Sequence, residues 1–241
     1  MSNPILNNNF VENEQVINGI PMTVNGTLGK TFILFAVLMA SAVLVWHTFI
    51  LGQLDKAQML TSGGAIIGFV LALVIAFTKN KYLIPVYAAC EGAFLGGVSA
   101  IFEAQYSGIV FNAISATFMV MLSMLFLYRA NIIKCTDKFR SILFTATLAI
   151  ALLYILQIIG SFFGYTIPGI FNSGTVGLAF SVVVTLIAAF NLIVDFDFIE
   201  KGAQNFLPKD FEWYGAFGLM VTLVWLYLEI LRLLAKLNNR N

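Results

Sequence analysis

Charge is scarce in this sequence. Only 10% of its 241 residues are Asp, Glu, Lys or Arg, whereas 60% are hydrophobic. A soluble domain carries nearer a quarter charged residues, and a water-facing surface built from this composition would be far too apolar. An ordinary soluble domain is thereby excluded, and the lipid bilayer becomes the natural solvent and first partner. Histidine and cysteine are scarcer still: His47 is the single histidine, and Cys90 and Cys135 lie far apart. One histidine does not make a zinc site. Two distant cysteines form neither a metal spacing nor a disulfide framework, and they are read as unpaired thiols. The apolar stretches hold no Ser/His/Asp set, no zinc-binding pair and no cysteine nucleophile with a base, so no enzyme is expected. The net charge of +1 offers no basic face, and nucleic acid is excluded as a partner. Residues 1–30 are polar and asparagine-rich, with Glu12 and Glu14. They lack the basic start and short apolar core of a cleaved signal, and a flexible tail is expected there.

What the chain does have is long apolar runs. A membrane helix needs about 20 mostly apolar residues, and seven runs qualify, near 31–51, 59–78, 83–103, 107–128, 141–163, 175–199 and 212–235. Breaks fall at KNK (79–81) with Pro85 behind it, at RANIIKCTDKFR (129–140), at GYTIPGIFNSG (164–174) and at NFLPKD (205–210). The runs are continuous rather than alternating, which argues against a barrel. The expected fold is all-α, a polytopic seven-helix transmembrane domain over 31–236 with a short C-terminal tail at 237–241. Lys30, Lys79, Lys81, Arg129, Lys134, Lys138, Arg140, Lys201 and Lys209 collect on one side, which should be cytoplasmic. That places the N-terminus inside and the C-terminus outside. Lys56 and the tail residues Arg232, Lys236 and Arg240 oppose the bias, and a re-entrant final segment would return the tail to the cytoplasm. Gly64–Gly68 and Gly92–Gly96 are small-xxx-small pairs, read as packing within one chain rather than as a dimer seam. A monomer is favoured on that reading.

Ionisable residues inside the spans are few, and such groups face a bundle interior or a water-filled cavity. Glu229 and Arg232 lie three apart and can pair. Glu91 sits eight residues into the third span, about 12 Å from its start at 1.5 Å per residue. An unpaired carboxylate at that depth is strongly disfavoured or takes up a proton. The stretch NLIVDFDFIE (191–200) ends the sixth span with three acids. Asp195 and Asp197 point about 200° apart on a helix. Asp197 is placed to pair with Lys201 and is assigned to the loop side. Asp195 shares a face with Asn191 and is assigned to the interior. The alternative is a helix end that frays into water with all its acids solvated. By topology, Asp195, Glu212 and Glu91 fall in one cytoplasmic-half layer, where they would share protons as a group. Asp195 and Glu212 would also be oxygen ligands for Ca²⁺, with carbonyls and water completing the shell.

MTVNGTLGKT before the first span, YAACEGAFLGG in the third, and NLIVDFDFIEKG…PKDFEWYGAFGLMVTLVWLYLEILRLL to the end resemble the bacterial branch of the Bax inhibitor family. The resemblance covers nearly the whole chain. It implies six helices around a central seventh and, from better-studied relatives, a passive pH-sensitive calcium leak. Those relatives carry an aspartate on each of the last two helices, sharing a proton and controlling a plug. Asp195 matches the first, and the second falls on Thr222, which does not ionise. Either Asp195 finds another acid, with Glu212 and Glu91 as candidates, or the pH gate is absent here. Some bacterial relatives are thought instead to restrain membrane proteases, which implies a non-conducting interaction protein with a protease partner. The family branch and short loops imply a multi-pass protein of the bacterial inner membrane. No cofactor is expected beyond Ca²⁺ as a bound or transported ion.

Overall fold

A computed structural model describes residues 20–165, 169–170, 172 and 174–239. Most of the expected tail, residues 1–19, lies outside the described residues, as do Arg240 and parts of the 164–174 loop. Seven helices are long and apolar enough to cross a membrane: α1 (Val24–Ile50), α2 (Leu54–Thr78), α3 (Ile84–Gln105), α4 (Ile109–Arg129), α5 (Asp137–Phe162), α6 (Thr175–Gln204) and α7 (Phe211–Asn238). A short 3₁₀ turn, Lys81–Leu83, leads into α3. No strand forms among the described residues. The all-helical expectation holds, and the breaks fall where the sequence places them.

Local chemistry sets those breaks. Lys79 ends α2 in the left-handed region at φ 54°, Asn80 accepts from the Tyr82 amide at 3.0 Å, and Pro85 fills the first turn of α3, where a missing N–H costs nothing. Thr136 caps α5 by accepting from the Phe139 amide at 3.2 Å. The clearest difference from expectation is the start of α1. It begins at Val24, not near 31, because Thr23 accepts from the Gly26 amide at 2.9 Å and so caps a polar first turn that hydropathy alone does not register.

The described helices fall into two compact units. The first holds residues 20–107 with 198–220, and its axis is the packing of α3 on α1 and α2. Small residues make that approach possible. A Cβ at Gly64 would stand 2.6 Å from Cys90 O, one at Gly92 would collide with Leu38 O and Ser41 Oγ, and one at Gly96 would collide with Ala42 O. Both glycine pairs therefore pack within the chain. Ser41 Oγ adds a cross-helix bond to Ala89 O at 2.7 Å. The segment before α1 is stitched to the α6–α7 loop. Pro21 and Pro208 form an antiparallel bridge, the Met22 amide donates to Leu207 O at 2.7 Å and the Lys209 amide donates to Ile20 O at 3.1 Å. Met22, Leu207 and Phe211 bury together beneath it. Lys81 pairs with Asp210 at 2.6 Å on the same loop.

The second unit holds residues 108–197 with 221–239, and it contains α4, α5, most of α6 and the latter part of α7. Its polar ties are described with the site below. Along the whole chain, α7 buries 56% of its most apolar stretch, α3 buries 50%, and α1, α2, α4 and α5 bury 11–17%. The last helix thus buries the largest share of its apolar stretch, and α1, α2, α4 and α5 leave most of theirs exposed. Gly92→Val should lower the melting temperature in detergent, with a cost of about 1–3 kcal/mol. Gly63→Ala, with nothing within 4 Å of the added carbon, should leave it unchanged or raise it. Equal melting of the two variants would contradict the packing described.

Candidate functional site

The end of α6 is enclosed on every side: Leu192 and Ile193 are fully buried, and Val194, Asp195, Phe196 and Asp197 are no more than 9% exposed. A helix apolar or buried all round belongs in a core. This corrects the assignment of Asp197 to the loop side. Two residues about 200° apart are both withdrawn from solvent, because α6 has no open face at this level.

Asp195 takes the Thr222 hydroxyl of α7 as its side-chain partner. Its Oδ2 is buried with no hydrogen-bond partner among the described residues. One turn earlier, Asn191 donates to Thr147 Oγ1 of α5 at 3.0 Å and to Ile187 O at 2.8 Å, which fixes α6 rotationally against α5. Two residues later, Asp197 is held by charge. Arg140 Nη2 lies 2.5 Å from Asp197 Oδ2, and the Tyr128 hydroxyl lies 3.5 Å from Oδ1. Arg140 stands in the first turn of α5, positioned by the Thr136 cap, with Cys135 Sγ 3.9 Å from its Nη2. Burial, and then the nearby Asp197 charge, push the Cys135 thiol above its ordinary range. The sequence points Asp197 to Lys201 at i+4, and the structure pairs it with Arg140 instead. The one signal available was an arginine at the mouth of a span, next to a break.

The other expected acids have partners of their own. Glu212, 1% exposed, opens α7. Its Oε1 accepts from the Thr23 amide at 3.0 Å and the Thr23 hydroxyl at 3.1 Å, and its Oε2 binds Lys30. Lys30 also lies over the Trp213 ring, 5.5 Å from its centroid. A carboxylate at a helix N-terminus is favoured by the helix dipole, and here it serves two helix starts, its own and that of α1. Glu212 is therefore engaged by a cation and by donors. Glu91 is half-buried and accepts from the Tyr87 hydroxyl. Among the described residues, no three His, Cys, Asp or Glu side chains come together in a way that would hold a metal ion.

At the far end of α7 the expected Glu229–Arg232 pair forms at 3.1 Å. Glu229 is 1% exposed, and the same Oε1 also accepts from the Tyr154 hydroxyl at 2.9 Å and the Trp225 indole at 3.2 Å. The sequence carries no signal for Tyr154, since it does not show which helix faces α7. Cys90 and Cys135 are free thiols.

A family model described as Bax inhibitor 1 like matches residues 3–239. Comparison with curated proteins returns no match.

Two outcomes follow from the Asp197 site. Arg140→Ala strands a buried carboxylate and should cost on the order of 3–5 kcal/mol, with Arg140→Ala/Asp197→Asn recovering part of the loss in a thermal melt. In a Cys90→Ala background, alkylation of Cys135 should accelerate only at a pH above that of a free cysteine, because the thiolate is the reactive form. An ordinary cysteine profile would contradict the burial and charge placed around it.

Proposed function

Because the chain belongs to the Bax inhibitor 1 like family, we propose that it is a pH-sensitive cation leak, carrying Ca²⁺ and gated by protonation at Asp195. The observation that carries this reading is the enclosed Asp195, with the Thr222 hydroxyl as its side-chain partner and Oδ2 without a partner among the described residues. Charge in such a place is costly, and intramembrane carboxyls of this kind mark ion pathways and proton relays. Gain or loss of a proton there changes how α6 and α7 prefer to pack around Thr222. The ion is cargo in this scheme, held only in passing, and Ca²⁺ meets carboxyl and carbonyl oxygens on its way. The same proposal places the protein in a bacterial inner membrane with its N-terminus in the cytoplasm.

Thr222 gives the switch a particular form. A hydroxyl neither ionises nor shares a proton with a carboxylate as a second acid does. The gate then titrates as one group rather than as a coupled pair. Asp197, already bound by Arg140, is a structural neighbour that keeps this stretch of α6 in register.

In liposomes loaded with a Ca²⁺ indicator, the wild-type chain should give a flux whose pH profile follows a single proton. Asp195→Asn should abolish the pH dependence, and Thr222→Asp should spread it over two steps. Wild-type flux no greater than that of empty vesicles would end the leak reading. It would favour a non-conducting interaction protein, for which deletion of residues 1–20 should weaken a protease-regulating activity.

A further inference from the structure

The first turns of α6, with Ile170 of the loop before them, hold an oxygen cluster that the leak reading does not use. Lys236, in the last turns of α7, turns its ammonium onto it. Nζ donates to Ser181 Oγ at 2.8 Å and to Gly177 O at 2.9 Å, and Ile170 O lies at 3.4 Å. Gly177 and Ser181 belong to the first turns of α6, and Ser181 is 3% exposed. The loop backbone closes tightly over them. A Cβ at Gly177 would collide with Asn172 O and stand 3.0 Å from Gly169 O, so only glycine admits this approach. Two carbonyls and a hydroxyl thus face one ammonium, and none of the three is ionised.

The charge balance is equally specific. Glu229 and Arg232, seven and four residues before Lys236 on α7, bind each other at 3.1 Å and cancel. Among the described residues that Lys236 Nζ is bonded to, what remains is one positive charge among neutral oxygens. Calcium sites draw on carboxylates to offset two charges, whereas carbonyl oxygens substitute for the hydration shell of a monovalent ion. A lysine ammonium is a compact point charge with three donors, and three oxygens meet it here. From this geometry we infer that Ile170 O, Gly177 O and Ser181 Oγ form a monovalent-cation site whose resident cation is the chain's own Lys236. A free ion takes that place when the ammonium is removed. The consequence is an exchangeable tie between the α5–α6 loop and the end of α7.

The test uses the full chain in detergent, with thermal unfolding followed across KCl and NaCl titrations and choline chloride at matched ionic strength as the screening control. Lys236→Met should melt below wild type in choline and recover saturably in K⁺ or Na⁺, while wild type responds little. Adding Ser181→Ala to Lys236→Met should weaken the apparent cation affinity about five-fold, the worth of one hydrogen bond of roughly 1 kcal/mol. Identical melting of Lys236→Met in choline, Na⁺ and K⁺ would overturn the inference and leave Lys236 as a structural pin. Saturation by Ca²⁺ at lower concentration than by either monovalent ion would overturn it as well. Should Lys236→Met fail to fold in every salt while Lys236→Arg folds, a free ion does not replace the ammonium, and the inference falls. None of these readouts depends on whether the protein conducts.

Discussion

Hydrocarbon offers no hydrogen-bond partner, so every polar group carried into the bilayer must be answered from within the protein. This constraint explains most of the specific contacts in the chain. Glu229 is met by Arg232, Tyr154 and Trp225. Asp197 is met by Arg140 and Tyr128, and Glu212 by Lys30 and Thr23. Asn191 reaches Thr147, and Ser41 reaches Ala89 O. Packing of helices in lipid gains nothing from the exclusion of water, so these bonds and the glycine contacts carry the specificity. Asp195 departs from the rule, since its Oδ2 is buried without a partner among the described residues. That carboxyl contrasts with Asp197, Glu212 and Glu229, each met by a cation and by donors, and the role proposed for Asp195 rests on this contrast.

Membership of the Bax inhibitor 1 like family supplies the frame in which that weight is read, and Thr222 supplies the qualification. In the first unit Glu212 and Glu91 are held by Lys30 and Tyr87, and in the second Asp197 and Glu229 by Arg140 and Arg232. The chemistry available at Asp195 is then that of one carboxyl beside one hydroxyl, which is simpler than an acid pair sharing a proton.

Much of the fold is legible in the sequence because hydropathy reports directly on the solvent. The seven runs, the breaks at KNK and NFLPKD, and the glycine pairs all reflect local composition. The start of α1 is not legible that way, since Thr23–Lys30 is polar and its helicity rests on a cap and on Glu212, far along the chain. Within the site, helical periodicity separates the directions of Asp195 and Asp197 correctly. It wrongly implies that one direction is wet, because enclosure depends on how many neighbours surround α6. The i+4 rule points Asp197 to Lys201, and Arg140 reaches it instead from another helix. The register that sets Thr222 against Asp195 follows from the fixed rise of two helices joined by a short turn. Lys236 and its oxygens were invisible, because backbone carbonyls leave no trace in side-chain chemistry.

The bond between Thr23 and Glu212 joins residues 189 positions apart, and this has a bearing on biosynthesis. When α1 first enters the membrane its leading turn has no acceptor from Glu212, and Lys30 has no counter-ion there. Both are supplied only after the ribosome has delivered the seventh helix. A chain that stalls before residue 212 therefore keeps the local Thr23 cap of its first helix but leaves the Thr23 amide and the Lys30 ammonium without the carboxylate that answers them in the finished protein.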